Sequence, residues 1–171
     1  KGLLAASIRD PDPVIFLEPK LIYRAFRDEV PEEPYTVPIG EAVTRREGGD
    51  VAVFTYGAMT RPTLEAAEAL AAEGIDCEVV DLRTVSPLDR EAIIEAFEAT
   101  GRAVVVHEAP KTGGLAAEIT AIIQEEALLY QEAPVKRVTG FDVPYPLYAL
   151  EDYYLPTATR IGEGIREAVE F

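Results

Sequence analysis

The chain has 171 residues, enough for one domain with its own core, and nearly half of them are hydrophobic. It carries 31 Asp and Glu against 16 Lys and Arg, a formal charge of -15. That balance argues against nucleic acid or an anionic membrane as a partner and permits a basic protein. Lysine is scarce (Lys1, Lys20, Lys111 and Lys136), and so acidic a surface also suits high salt, where self-repulsion is screened.

The single cysteine, Cys77, excludes an internal disulfide and reads as a buried strand residue. One His and one Cys make no metal-ligand cluster. No apolar run reaches a membrane span and no signal peptide is visible, so cytoplasm is the default expectation. The chain opens at Lys1 in mid-pattern and reads as a piece of something longer.

In chain order, residues 1–18 read as helix, turn and strand. Leu3, Leu4 and Ile8 form an amphipathic stripe, the prolines of Asp10-Pro11-Asp12-Pro13 break it, and Val14 to Leu17 reads as a short buried strand. Residues 19–39 have linker composition, with Pro19, Pro31, Pro34 and Pro38. Leu21, Ile22, Tyr23 and Phe26 indicate that this linker lies on a surface.

From residue 40 the pattern is regular. Ala42 to Thr44 reads as a short edge strand and Val51 to Tyr56 as a strand closed by Gly57. Pro62 suits a first helical turn; Leu64, Ala67, Leu70 and Ala71 recur at helical spacing, and Gly74 ends the run. Cys77 to Leu82 is the next strand. Ser86 or Asp89 caps a helix striped by Ile93, Ile94 and Phe97, with Pro87 just inside it and Gly101 at its end. Ala103 to Val106 is an unbroken apolar strand, as expected for an interior position covered on both faces. Thr112-Gly113-Gly114 opens a long helix carrying Leu115, Ile119, Ile122 and Ile123. Val135 to Val138 is the last strand, its Lys136 and Arg137 indicating an edge. An aromatic, proline-rich loop over 141–156 precedes a final helix with Ala158, Ile161, Ile165, Ala168 and Val169. This alternation predicts an α/β fold, a three-layer α/β/α domain over 40–171 with a mainly parallel sheet.

Function in such sheets collects at the carboxyl ends of strands. There His107 is a candidate general base or substrate hydrogen-bond donor, and equally a structural histidine; no nucleophile motif accompanies it, which favours the structural role. Thr112, Gly113 and Gly114, with Lys111 beside them, form a candidate anion site, or a close backbone approach that needs glycine. Arg83 suits a carboxylate clamp or a local ion pair. Phe141, Tyr145, Tyr148, Tyr153 and Tyr154 crowd one loop, as expected of an interface or of packing over the sheet edge.

Several strings, in this order, carry a resemblance: GLLAASIRDPDPVIFLEP at 2–19, DLRTVSPLD at 81–89, VVVHEAPKTGG at 104–114, APVKRVTG at 133–140 and LEDYYLP at 150–156. Over its whole length the sequence resembles roughly the C-terminal half of the beta subunit of thiamine-diphosphate-dependent 2-oxo acid dehydrogenases, of the pyruvate and branched-chain types. The resemblance implies that 1–18 end a pyrimidine-binding domain, 19–39 are a linker and 40–171 form a transketolase-type C-terminal domain. It implies a five-stranded mixed sheet with the first strand antiparallel.

It further implies an enzyme of α2β2 assembly, with thiamine diphosphate and Mg in the whole enzyme, none of it bound by this part. The implied partners are the alpha subunit, a second beta subunit and the docking domain of the lipoyl acyltransferase. The resemblance implies a partner-binding part for the terminal Phe171, beside Tyr145, Tyr148 and Tyr153 as the candidates from the aromatic loop; no catalytic residue carries over, and His107 stays a candidate by its position alone. A transketolase, a deoxyxylulose-phosphate synthase and a free-standing anion-binding regulatory module are the alternatives.

Overall fold

The computed structural model describes residues 1–171. Five strands form one sheet: β1 (Val43–Arg46), β2 (Val51–Thr55), β3 (Cys77–Asp81), β4 (Ala103–Pro110) and β5 (Lys136–Gly140). Their order is β1-β3-β2-β4-β5. The pairs β2–β3, β2–β4 and β4–β5 are parallel, and β1 runs antiparallel to β3. The mixed five-stranded sheet therefore has its first strand antiparallel, and β5 is an edge strand. Six helices accompany it: α1 (Gly2–Arg9), α2 (Thr60–Ala71), α3 (Arg90–Thr100), α4 (Leu115–Glu126), the short α5 (Glu151–Tyr154) and α6 (Ala158–Val169).

Alternation along the strands sorts the core into two layers. Val51, Val53, Val79, Val104 and Val106 face α2 and α6, where Ala66, Leu70, Ile161 and Ile165 cover them. Ala52, Phe54, Val80 and Val105 face α3 and α4, against Ile93, Phe97, Ile119 and Ile123. Strands buried on both sides read as continuous apolar runs for this reason. Cys77 is buried in the first layer, and burial pushes its thiol up to about 11, so it stays an inert thiol at neutral pH.

Local chemistry fixes the crossings. The Asp89 carboxylate accepts from the Ala92 amide at 3.0 Å as the N-cap of α3. Its second oxygen accepts from the Ala42 amide at 2.8 Å, tying the entry of β1 to that helix. Asp89, not Ser86, is thus the cap, and Pro87 lies in the turn before the helix. Gly101 ends α3 with φ of 66°, a left-handed cap that suits glycine.

Two expectations are corrected. Residues Val14 to Leu17 form no strand: no strand of the sheet lies beside them to supply a ladder, and Ile15 and Leu17 are exposed. The first strand is Val43–Arg46, one residue later than read, because the Asp89 contact holds Ala42 outside the ladder.

The turn between β1 and β2 offers a matched test. A Cβ on Gly48 would lie 2.2 Å from the Cys77 carbonyl carbon, whereas nothing lies within 4 Å of one on Gly49. Gly48→Ala is expected to cost about 1–3 kcal/mol, since backbone cannot yield without breaking β3 pairing. Gly49→Ala is expected to stay within about 0.5 kcal/mol of the parent. Urea midpoints of the two variants check this, and equal midpoints would remove the packing argument.

Candidate functional site

The carboxyl rim of the sheet is built by the residues that follow β2, β3, β4 and β5. Strand order reverses between β2 and β4, so the crevice between their ends is the switch point of the fold. A cleft of about 670 Å³ lies there, between Tyr56, Glu108, Pro110, Tyr145, Tyr154 and the arm at Leu21. Glu108 makes no hydrogen bond or ion pair within the chain, and burial raises its carboxyl above the ordinary value. Burial, and then the Glu108 charge, raises the Tyr56 hydroxyl in turn. The Tyr145 and Tyr154 rings meet edge to face at 5.0 Å.

His107 ends the apolar run of β4 and is fully buried. Its Nδ1 donates to the Ala109 carbonyl at 3.0 Å, and its Nε2 accepts from the Ala116 amide at 3.2 Å. An amide can only donate, so Nε2 carries the lone pair and Nδ1 the proton. The ring thereby satisfies one of the open amides in the first turn of α4. That approach requires Gly114, where a Cβ would stand 2.5 Å from the Pro110 carbonyl oxygen and 2.7 Å from His107 Cε1.

The Thr112–Gly114 turn already faces an anion from this chain. Asp142 accepts from the Thr112 amide at 2.9 Å and from its hydroxyl at 2.7 Å. The Thr112 backbone and side-chain bonds, with help from Lys111, hold the Asp142 carboxyl below its usual range. Arg160 staples α6 to the same rim. It donates to the Thr139 carbonyl at 2.8 Å and to the Tyr154 and Leu155 carbonyls at 3.2 Å, and it stacks over Phe141 at 4.6 Å.

Arg83 follows β3 with φ of 55° and donates to the Ala42 carbonyl, while its Nε is buried without a partner. The Asp81 carboxylate, which pairs with Arg45, accepts the Arg83 amide and props this strained turn.

The aromatic loop is divided. Tyr154 is buried beneath Gly140, whereas Tyr145, Tyr148 and Tyr153 are exposed, as is Phe171 at the end of the chain. Tyr148 is 89 % exposed and Phe171 80 %. A patch that the sequence reading passed over is Leu128, Leu129 and Tyr130, just beyond α4, with Leu129 at 96 %. The run of three apolar residues after a helix C-terminus was the available signal. Asp142 and Arg160 also went unread, because their partners lie 30 and 21 residues away.

No three His, Cys, Asp or Glu side chains converge to hold a metal ion. The donors here do not fit a magnesium diphosphate, since Asp142 is committed to Thr112 and no second carboxylate joins it. No helix is long and apolar enough to cross a membrane.

The model of the transketolase C-terminal domain matches residues 40–161. The chain belongs to that family. It is similar to the pyruvate dehydrogenase E1 component subunit beta of Bacillus subtilis, 51% identical over 171 residues, covering 100% of this chain and 53% of that one. The mitochondrial 2-oxoisovalerate dehydrogenase subunit beta of Dictyostelium discoideum is 48% identical over 172 residues, covering 100% of this chain and 46% of that one. The chain thus spans about half the length of the curated relatives it matches. A solved split-gene transketolase, an inactive beta4 tetramer, superposes with TM-score 0.71 at 33% identity over 79% of this chain and 44% of that one.

His107 is the chain's sole histidine, so its NMR titration needs no assignment by variants. Burial holds its imidazole below the ordinary value. The unfolded chain therefore takes up that proton more readily than the fold does. The resulting stability is fully present above about pH 6.5 and is lost as pH falls from there towards the lower folded value. The expected spectrum shows Nδ1 protonated at pH 7 and a midpoint below 6.5. A midpoint at or above 6.5 would contradict the buried neutral ring.

Proposed function

We propose that the chain is the C-terminal part of the beta subunit of a 2-oxo acid dehydrogenase, in its decarboxylating component. In this reading the whole enzyme oxidatively decarboxylates pyruvate or a branched-chain 2-oxo acid and passes the acyl group to lipoyl-lysine. Thiamine diphosphate and Mg supply the decarboxylation chemistry, and they are held by residues outside this chain. Residues 1–18 close a pyrimidine-binding domain, 19–39 link it, and 40–171 serve subunit assembly and docking. The partners are an alpha subunit in an α2β2 tetramer, a second beta subunit and the acyltransferase docking domain.

The observation that carries this reading is similarity over the whole chain, at about half identity, to beta subunits from both the pyruvate and the branched-chain enzymes. The physical features agree with it. His107 has both nitrogens engaged inside the chain, which suits a structural part in the fold. Ile15, Leu17, Leu21 and Tyr23 on the arm are exposed, as are Tyr145, Tyr148 and Tyr153. Leu21 and Tyr145 line one cleft, and exposed apolar surface gathered in this way suits protein contact. Charge complementarity between an acidic chain and a basic docking domain would mainly speed encounter.

Two measurements test the reading. The purified chain, given thiamine diphosphate, Mg and pyruvate, is expected to release no carbon dioxide; release at enzymatic rates would refute it. In the assembled enzyme, deleting Phe171 or replacing Tyr148 with Ala is expected to weaken capture of the docking domain about tenfold or more, as for an aromatic anchor. Unchanged affinity in both variants would take the docking role away from this face.

A further inference from the structure

Eleven Lys and Arg residues lie in 40–171, and seven of them sit within 4.0 Å of a carboxylate. Within this domain pairing is the default, so the exceptions are informative. They are Arg83, Lys111, Arg137 and Arg160. Three of these four line a single pocket of about 270 Å³ at the carboxyl end of β5, with Thr139, Gly140, Phe141 and Asp142.

Donor accounting shows what the pocket lacks. Arg137 has five N–H donors, and its one hydrogen bond is a long 3.5 Å contact to the Lys111 carbonyl. The Lys111 ammonium makes no hydrogen bond. Arg160 is fixed by three carbonyls and by Phe141, so its charge cannot swing away. The one carboxylate present, Asp142, gives both oxygens to Thr112 and pairs with none of the three cations. The pocket therefore holds three cations and one anion, with unused donors on Arg137 and Lys111. A fixed guanidinium beside a free one suits an oxyanion that accepts two parallel N–H bonds.

We infer that Lys111, Arg137 and Arg160 form a binding site for a dianionic oxyanion, of the phosphate or phosphate-monoester class. The local surplus of two positive charges matches a dianion better than a monocarboxylate. Arg137 supplies the bidentate fork and Lys111 a mobile donor at the rim. Arg160 holds fixed positive charge against the Phe141 ring, and Thr139 and Gly140 form a buried floor. The site shares no lining residue with the Glu108 cleft, and Phe171 is not part of it.

Calorimetric titration of the purified chain with inorganic phosphate at fixed ionic strength is the test, with amide NMR shifts to locate the anion. One saturable site is expected, with shifts at Thr139, Gly140 and Phe141. Arg137→Gln and Lys111→Gln are each expected to weaken binding about tenfold. The Lys111 side chain is exposed and makes no hydrogen bond, so its variant keeps the test sound even if Arg137→Gln unfolds. Arg61→Gln, an exposed pair with Glu65 on α2, is expected to bind like the parent. No saturable heat, equal affinity in Lys111→Gln, or acetate binding as tight as phosphate would overturn the assignment.

Discussion

A parallel strand buried on both faces must pass its chain to the next helix without stranding a polar group, and β4 does this through His107. The helix that follows has no side-chain cap: Gly114 stands at the N-cap and contributes none. An open amide of α4 would be left inside the second core layer. The neutral His107 imidazole accepts from that amide while donating to a carbonyl two residues along its own chain. Leaving such an amide unpaired costs about 1–3 kcal/mol. Gly114 is the companion requirement, since any side chain there would push the helix off the ring. The rest of the rim is set by this closure, because the β4–α4 turn places Lys111 and Thr112 opposite the end of β5.

The same closure explains why His107 reads as a catalytic candidate in sequence while its ring is engaged within the fold. A histidine after a buried strand, followed by Glu, Lys, Thr and two glycines, is the composition of many active sites. The geometry assigns each group a partner within the chain, apart from Glu108 and the cations around β5. A residue's chemical type was legible before folding; whether its lone pairs were already taken was not. Thr112 shows the point well. Its candidate anion stands 30 positions later, as Asp142, and only the register of β4 against β5 brings the two together.

Element by element, the core was readable because burial on both faces writes apolar runs into β2 and the first half of β4, with Glu78 the one break in the run from Cys77 to Val80 of β3. Helix stripes were readable for the same reason, although Ala71 turned outward. What failed was read from composition where pairing decides. Val14 to Leu17 has strand residues and no ladder. Ser86-x-x-Asp89 has the spacing of a capping box, yet Asp89 caps alone and spends its other oxygen on Ala42. The antiparallel direction of β1 carried no local signal; it came with the family resemblance and is confirmed by its pairing with β3.

Charge and apolar surface then divide the molecule by task. Carboxylates cover its helical faces, and over 40–171 seven of the eleven cations sit in ion pairs such as Arg166 with Glu73 and Arg102 with Glu132. Such exposed pairs contribute little stability; their consequence is that few cations remain free. A strongly acidic surface keeps the molecule from associating at random, because like charges repel wherever two copies meet. The exposed apolar places are then the ones that favour contact: the arm around Ile15 to Tyr23, the patch at Leu128 to Tyr130, and the tyrosine loop. In the proposed assembly this contrast supplies specificity, with repulsion excluding most orientations and apolar patches rewarding the few that remain. The pocket at Arg137 is the exception in the other direction, a positive site on a negative chain, and its isolation makes it selective for small anions that can reach it past the carboxylates.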